Sequence, residues 1–242
     1  TPLYSSAASD VYKRQTWGYG SRWDMDEPGA AMLMALYQCN HVASNPKLCR
    51  LVTVNDHELL PYYKEVDAQA AQALARLPVP EAVEVHLERA EIGTSTPDQL
   101  NKEANLFGMT PVRLNGITRV DTAQLAQLLA KPDKPVLIDV GLTGGMLPGA
   151  LNMIHAGLAL PDESADAALN ERFRRMLKAA APDLQQPVVF YCGNSECWQS
   201  VNAAMRAQRL GYTQVLWYRG GAYAWHKAGM PLTGRVPVAV LR

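Results

Sequence analysis

Several absences narrow what this 242-residue chain can be. It has no net charge, with 23 basic residues against 23 acidic and no long run of either sign. Neither a nucleic-acid stripe nor a membrane-surface patch is expected from such a balance. It also has no long apolar run. The longest, 30–37 and 188–192, fall well short of the roughly 20 residues a spanning helix needs, so no membrane span is expected. The histidines at 41, 57, 86, 155 and 226 sit on separate elements without ligand spacing, which points away from a metal site. Residues 141–145, Gly-Leu-Thr-Gly-Gly, lack the Lys and Ser/Thr of a phosphate-binding loop and read as a turn. No cofactor is implied. The chain begins without Met or an apolar signal core, and residues 1–15 carry neither a helical nor a strand period. That stretch is expected to be non-native or disordered and is set aside from the fold.

The remaining sequence is that of an ordinary globular protein, 48% hydrophobic and 19% charged, long enough for one large or two modest domains. Its first part, 16–111, reads as a small α/β (α+β) module. Asp26-Glu27-Pro28 starts a helix that runs to Cys39. Asn45-Pro46 forces a turn, and Leu51-Val52-Thr53-Val54 follows as a strand. A second helix is expected over about 67–77, stopped by Pro78, and Val83, Val85 and Leu87 alternate as in a half-buried strand. Cys39 and Cys49 bracket the turn, as a stapling disulfide worth roughly 3 kcal/mol would. The competing reading is two unpaired core thiols. With the disulfide goes an oxidising address, periplasmic or otherwise exported, and a signal peptide lying outside this sequence.

After a linker at 112–116, residues 117–235 alternate helix and strand, and 236–242 read as a tail. Asp121 and Gln124 form a capping-box-like start to a helix ending before Pro132. Val136 to Val140 is a buried strand with Asp139 near its carboxyl end. A helix over about 166–180, a strand at 188–191, a helix over 199–210, a strand at 215–218 and a short helix around Trp225 complete the series. Such alternation means a parallel sheet with helices on both faces and any site at the strands' carboxyl ends.

Cys192 stands at such an end. The loop Gly193-Asn194-Ser195-Glu196 leads from it into the next helix, so backbone N–H groups and the helix's positive end favour a thiolate and a bound oxyanion there. A buried strand-end cysteine with only a packing role is the competing reading. Cys197 reads as a resolving thiol, a packing residue under Trp198, or the nucleophile in a shifted register. The pair does not have C-x-x-C redox spacing. Asp139 is better placed to fix loops than to act as acid or base, and Arg219, just before Gly220-Gly221, is a candidate cation for the Cys192 loop.

These motifs, in order, resemble the rhodanese-like sulfurtransferases. They are the Leu137-Ile138-Asp139-Val140 strand, Leu147-Pro148-Gly149-Ala150, the Tyr191-Cys192 strand end, Gly211-Tyr212, Gly220-Gly221 with Trp225, and Gly229-Met230-Pro231-Leu232. Cys197-Trp198-Gln199-Ser200 is most similar to an exported bacterial branch named for a CXXCW motif and associated with pyrroloquinoline-quinone-dependent catabolism, although here four residues separate the cysteines. The resemblance implies a rhodanese-like parallel sheet and a sulfurtransferase of the thiosulfate type. Cys192 would be the nucleophile carrying sulfane sulfur as a persulfide, on a loop of Gly193, Asn194, Ser195, Glu196, Trp198 and Ser200. The partners implied are a small sulfur-donor anion and a thiol or other nucleophilic acceptor; apart from the resemblance, the N-terminal module is a candidate surface for a protein partner. Two departures weaken the fit to thiosulfate: the loop is longer than usual, and Glu196 and Trp198 stand where Arg or Lys is common. Two other readings stay open. One is a non-catalytic redox or binding module with a Cys192–Cys197 disulfide, and the other is a rhodanese-fold phosphatase, against which the lack of a loop Arg argues.

Overall fold

The computed structural model describes residues 4–9, 16–21, 50–54, 57–58, 60–78, 80, 88–103, 106–141, 145–153 and 156–233, with side chains from Ala68 onward. The helix expected to end at Cys39, the pairing of Cys39 with Cys49 and the strand at 83–87 lie outside these residues.

The first four strands, β1 (Tyr4–Ser9), β2 (Thr16–Ser21), β3 (Arg50–Val54) and β4 (His57–Glu58), form an antiparallel sheet in the order β2-β1-β3-β4. Residues Tyr4–Ser9, set aside on sequence, thus supply a strand paired on both edges. The small residues of that segment carry no alternating pattern, but ladder pairing is made by the backbone and does not require one. Helix α1 spans Leu60–Ala75, starting ahead of the expected Asp67. Pro61 sits in its first turn, where a missing N–H costs nothing. Its carboxyl end docks below: Leu74 and Leu77 pack against the cluster containing Tyr218 and Trp225.

A second sheet holds the rest. Strands β5 (Thr118–Val120), β6 (Val136–Asp139), β7 (Leu151–Asn152), β8 (Val188–Tyr191) and β9 (Val215–Tyr218) lie in the order β5-β9-β8-β6-β7. All four pairings are parallel. The intervening helices are α2 (Thr122–Leu129), α3 (Glu163–Ala180), α4 (Trp198–Arg209) and α5 (Gly221–Lys227). The α/β architecture with a parallel sheet is the one expected. Edge strands β5 and β7 were not foreseen, because three and two residues are too few to show a period. At α2 the capping box is formed: Asp121 accepts from Gln124 N, and Gln124 Oε1 accepts from Asp121 N, each at 2.9 Å.

Strand β8 is central and buried at every position. Its side chains divide by the period of two. Val188 and Phe190 enter the cluster shared with Phe173, Leu177, Val201 and Trp217, on the face of α3 and α4. Val189 and Tyr191 enter the opposite cluster with Leu125, Leu137 and Trp225. The next residue, Cys192, therefore falls on the α4 face, and it belongs with Cys197 to that first cluster.

Candidate functional site

Cys192 directly follows the central strand and Cys197 is the N-cap of α4. The two are joined by a disulfide with their α-carbons 6.1 Å apart, within the usual span for such a bond. Cys192 is 4% exposed and Cys197 1%. The period of two aims Cys192 at the face α4 covers, and the α4 N-cap sits there, so the bond follows from the fold.

The loop between them is held from three sides. From beneath, Ala222 N donates to Cys192 O at 3.0 Å and Tyr223 N to Gly193 O at 2.8 Å. Gly221, at φ +63°, makes this approach possible: a side chain there would begin 2.4 Å from Cys192 O and 2.9 Å from Asn194 N. From the neighbouring strand end, Gly141 fills the gap beside the sulfur, where a side chain would begin 3.5 Å from Cys192 Sγ. Asp139 Oδ1 accepts from Gly141 N at 2.8 Å, and its carbonyl accepts from Asn152 Nδ2 and Met153 N. Asp139 is thus placed to fix this turn.

The third side is a strap from residues 106–111. Trp198 N donates to Leu106 O at 2.9 Å, Gly108 N donates to Glu196 O at 2.8 Å, and Phe107 bridges Cys197 in antiparallel fashion. Thr110 Oγ1 donates to Ser195 O at 2.5 Å. Nothing in the sequence marked this strap. Its contacts with the loop are largely made by backbone atoms, and its side chains Phe107 and Met109 stay exposed.

These bonds narrow the anion nest. The N–H groups of Glu196, Cys197 and Trp198 are engaged by Asn194 Oδ1, Asn194 O and Leu106 O, and those of Gly193 and Asn194 make no hydrogen bond among the described residues. Ser200 is committed inward: its Oγ donates to Cys197 O at 3.1 Å and accepts from Trp217 Nε1 at 3.0 Å. Ser195 is buried, Trp198 half-buried and Glu196 exposed.

Arg219, expected to bring a cation to the loop, is otherwise engaged. It is 1% exposed, and its guanidinium donates to Ala90 O (3.0 Å), Ile92 O (2.8 Å), Thr110 O (3.2 Å) and Thr110 Oγ1 (3.2 Å). Burial, then the nearby charge of Arg119, holds its pKa below the ordinary value, with Glu91 opposing. Arg219 touches the loop only at second hand, through Thr110. A planar fork with five donors suits this carbonyl cluster, and it explains an arginine beside the glycine pair without any role in binding donors.

Among the described residues no group of three His, Cys, Asp or Glu side chains could hold a metal, and no helix is long and apolar enough to cross a membrane. What the arrangement offers is a strand-end sulfur, a helix N-terminus behind it, two open N–H donors and a second sulfur in bonding contact. The arrangement is a buried cysteine pair at the carboxyl end of a parallel α/β sheet.

The Rhodanese-like domain family matches residues 121–228, and the chain carries a rhodanese-like domain there. Solved structures that match include that of an uncharacterized protein from Saccharomyces cerevisiae. It is 20% identical, with 47% of this chain and 93% of that chain covered, at a TM-score of 0.33. No curated protein matches the chain.

Proposed function

We propose that the rhodanese-like domain is a sulfurtransferase-type carrier in which reduced Cys192 takes up sulfane sulfur. The Cys192 thiolate attacks the outer sulfur of a donor. With thiosulfate, the donor's S–S bond breaks, sulfite leaves with the electron pair, and a Cys192 persulfide remains. A nucleophilic acceptor then takes the terminal sulfur and frees the thiolate. The observation that carries this reading is the position of Cys192, at the end of the central strand and ahead of the α4 N-terminus, inside the matched domain. Gly193 N and Asn194 N are the donors available to the persulfide or the departing oxyanion.

The Cys192–Cys197 disulfide supports a second reading, a redox or binding module whose thiols rest oxidised. The phosphatase reading has little support, since no Arg lies between Cys192 and Ser200 to clamp a phosphoryl group. An exported address and likeness to the CXXCW bacterial branch accompany the proposal through Cys197-Trp198 and the Cys39–Cys49 pair.

The test is a single turnover of the reduced protein. Mixed with thiosulfate, it releases a stoichiometric amount of sulfite, whereas Cys192→Ser releases none. Equal sulfite release by the two proteins, or none from either, would sink the proposal.

A further inference from the structure

The site holds a second cysteine within reach of the reacting sulfur. Cys197 Sγ is in bonding contact with Cys192 Sγ, and both backbones are pinned independently of that bond. Cys192 O is held by Ala222 N. Cys197 donates its N–H to Asn194 O, accepts Ser200 Oγ at its carbonyl and is bridged to Phe107. Its chain neighbours are fixed as well, Glu196 O by Gly108 N and Trp198 N by Leu106 O. None of these anchors is made by a sulfur atom, so reduction of the disulfide breaks none of them and leaves the two sulfurs on backbones held close together. Both cysteines are at least nine-tenths buried, and a solvent-borne acceptor must work its way in. A nucleophile already held at the reacting atom outpaces one at ordinary solution concentration by orders of magnitude.

We propose that Cys197 resolves the Cys192 persulfide internally, so that the sulfur leaves this site as sulfide. This rests on the persulfide reading above. The Cys197 thiolate attacks the inner sulfur, Cys192 Sγ. The persulfide S–S bond breaks, and the terminal sulfur departs as hydrosulfide with the electron pair and a proton. A Cys192–Cys197 disulfide forms in its place. The sulfane sulfur is reduced by two electrons, and the thiol pair is oxidised by two. A dithiol reductant, protein or small molecule, then returns both cysteines to thiols and becomes a disulfide itself. On this account each turnover leaves the pair as the Cys192–Cys197 disulfide. The reaction that follows must be one that supplies dithiol electrons, and the one served by the product must consume sulfide, not sulfane sulfur.

The experiment follows mass and sulfide together after reduced protein, freed of reductant, is mixed with thiosulfate or with cysteine persulfide. Wild type is expected to release sulfide and to end about 2 Da lighter than the dithiol form, as disulfide closure requires. In Cys197→Ser, and in Cys197→Ala as a second variant, sulfide release is lost and an adduct of about 32 Da accumulates on Cys192. The reverse reaction needs no sulfane donor. Oxidised wild type treated with sodium sulfide should gain a persulfide that peptide mapping places on Cys192, with Cys197 alkylatable as a thiol. A wild-type adduct that persists with Cys197 still alkylatable, or a sulfide-derived persulfide mapped to Cys197, overturns internal resolution. Sulfite release from thiosulfate would in that case leave the sulfurtransferase reading standing. Loss of donor-dependent loading in wild type and both Cys197 variants overturns the two together.

Discussion

Thr110 Oγ1 donates to the carbonyl of Ser195 across 85 residues of sequence, at 2.5 Å, and accepts from Arg219 Nε at 3.2 Å. One hydroxyl thereby ties the strap to the thiol loop and satisfies a buried guanidinium. Thr110→Val keeps the shape and removes both bonds, leaving buried polar atoms unpaired. A loss of about 2 kcal/mol is expected from two such groups. Urea denaturation of wild type and variant gives the difference, and a midpoint unchanged within error would show the hydroxyl to be redundant.

Gly221 carries a positive φ and lies against the loop backbone. In Gly221→Ala the new methyl group meets Cys192 O and Asn194 N closer than a Cβ atom can pack, on top of the strain of the left-handed conformation. The cost should exceed ~1 kcal/mol, and because the obstacle is the loop itself, sulfite release by the reduced protein should fall with stability. Wild-type release rates in a folded Gly221→Ala protein would contradict this placement.

Glu196 is exposed at the loop's tip with no cation in the loop to offset it. Replacing it by Arg reverses the charge that an approaching dianion meets. The rate of sulfite release at low thiosulfate is expected to rise roughly three- to tenfold at low ionic strength, with the gain shrinking in salt. Stopped-flow measurement at two salt concentrations distinguishes this from a structural effect, which salt would not erase.

On the α4 flank, Arg206 is buried and donates to Asp166 Oδ1 at 2.5 Å and to Leu158 O at 2.7 Å. Burial pushes the Asp166 carboxyl up, but the Arg206 hydrogen bond, the Leu160 N–H and the charges of Arg206 and Lys102 outweigh it and hold the pKa below its ordinary 3.8. A carboxyl depressed in the folded state contributes stability fully above the unfolded value. That contribution fades as pH falls through the folded one. Asp166→Asn should therefore cost about 1–3 kcal/mol at pH 7, with the gap to wild type narrowing below pH 3.8. Urea titrations across the acid range report it, and a gap that widened toward low pH would reverse the sign.

The thiol site was legible where its signals are local. The uninterrupted apolar run into Cys192, the polar loop after it and the Asp121–Gln124 capping box each need only a few neighbouring residues, and each is where the sequence placed it. The strap was not legible. Residues 106–111 read only as the end of the first module, just ahead of the linker at 112–116, because the atoms that grip the loop are mostly main-chain atoms about 90 positions upstream of it. Arg219 misled for a related reason. An arginine beside a glycine pair looks aimed at an anion, and only the folded chain reveals the carbonyls of Ala90, Ile92 and Thr110 converging on it.

That convergence separates the extent of a likeness from the extent of a working unit. The family match begins at residue 121, yet the partners of Trp198 N, Glu196 O, Ser195 O and Arg219 all lie before it. A piece of the chain cut to the matched span would lose edge strand β5 and keep the other four strands and both sulfurs, and it would expose a loop whose donors and acceptors had lost their counterparts to water. Portability of the chemistry, in any transplant of this site to another scaffold, begins at Glu88, whose carboxylate receives both the N–H and the hydroxyl of Thr122.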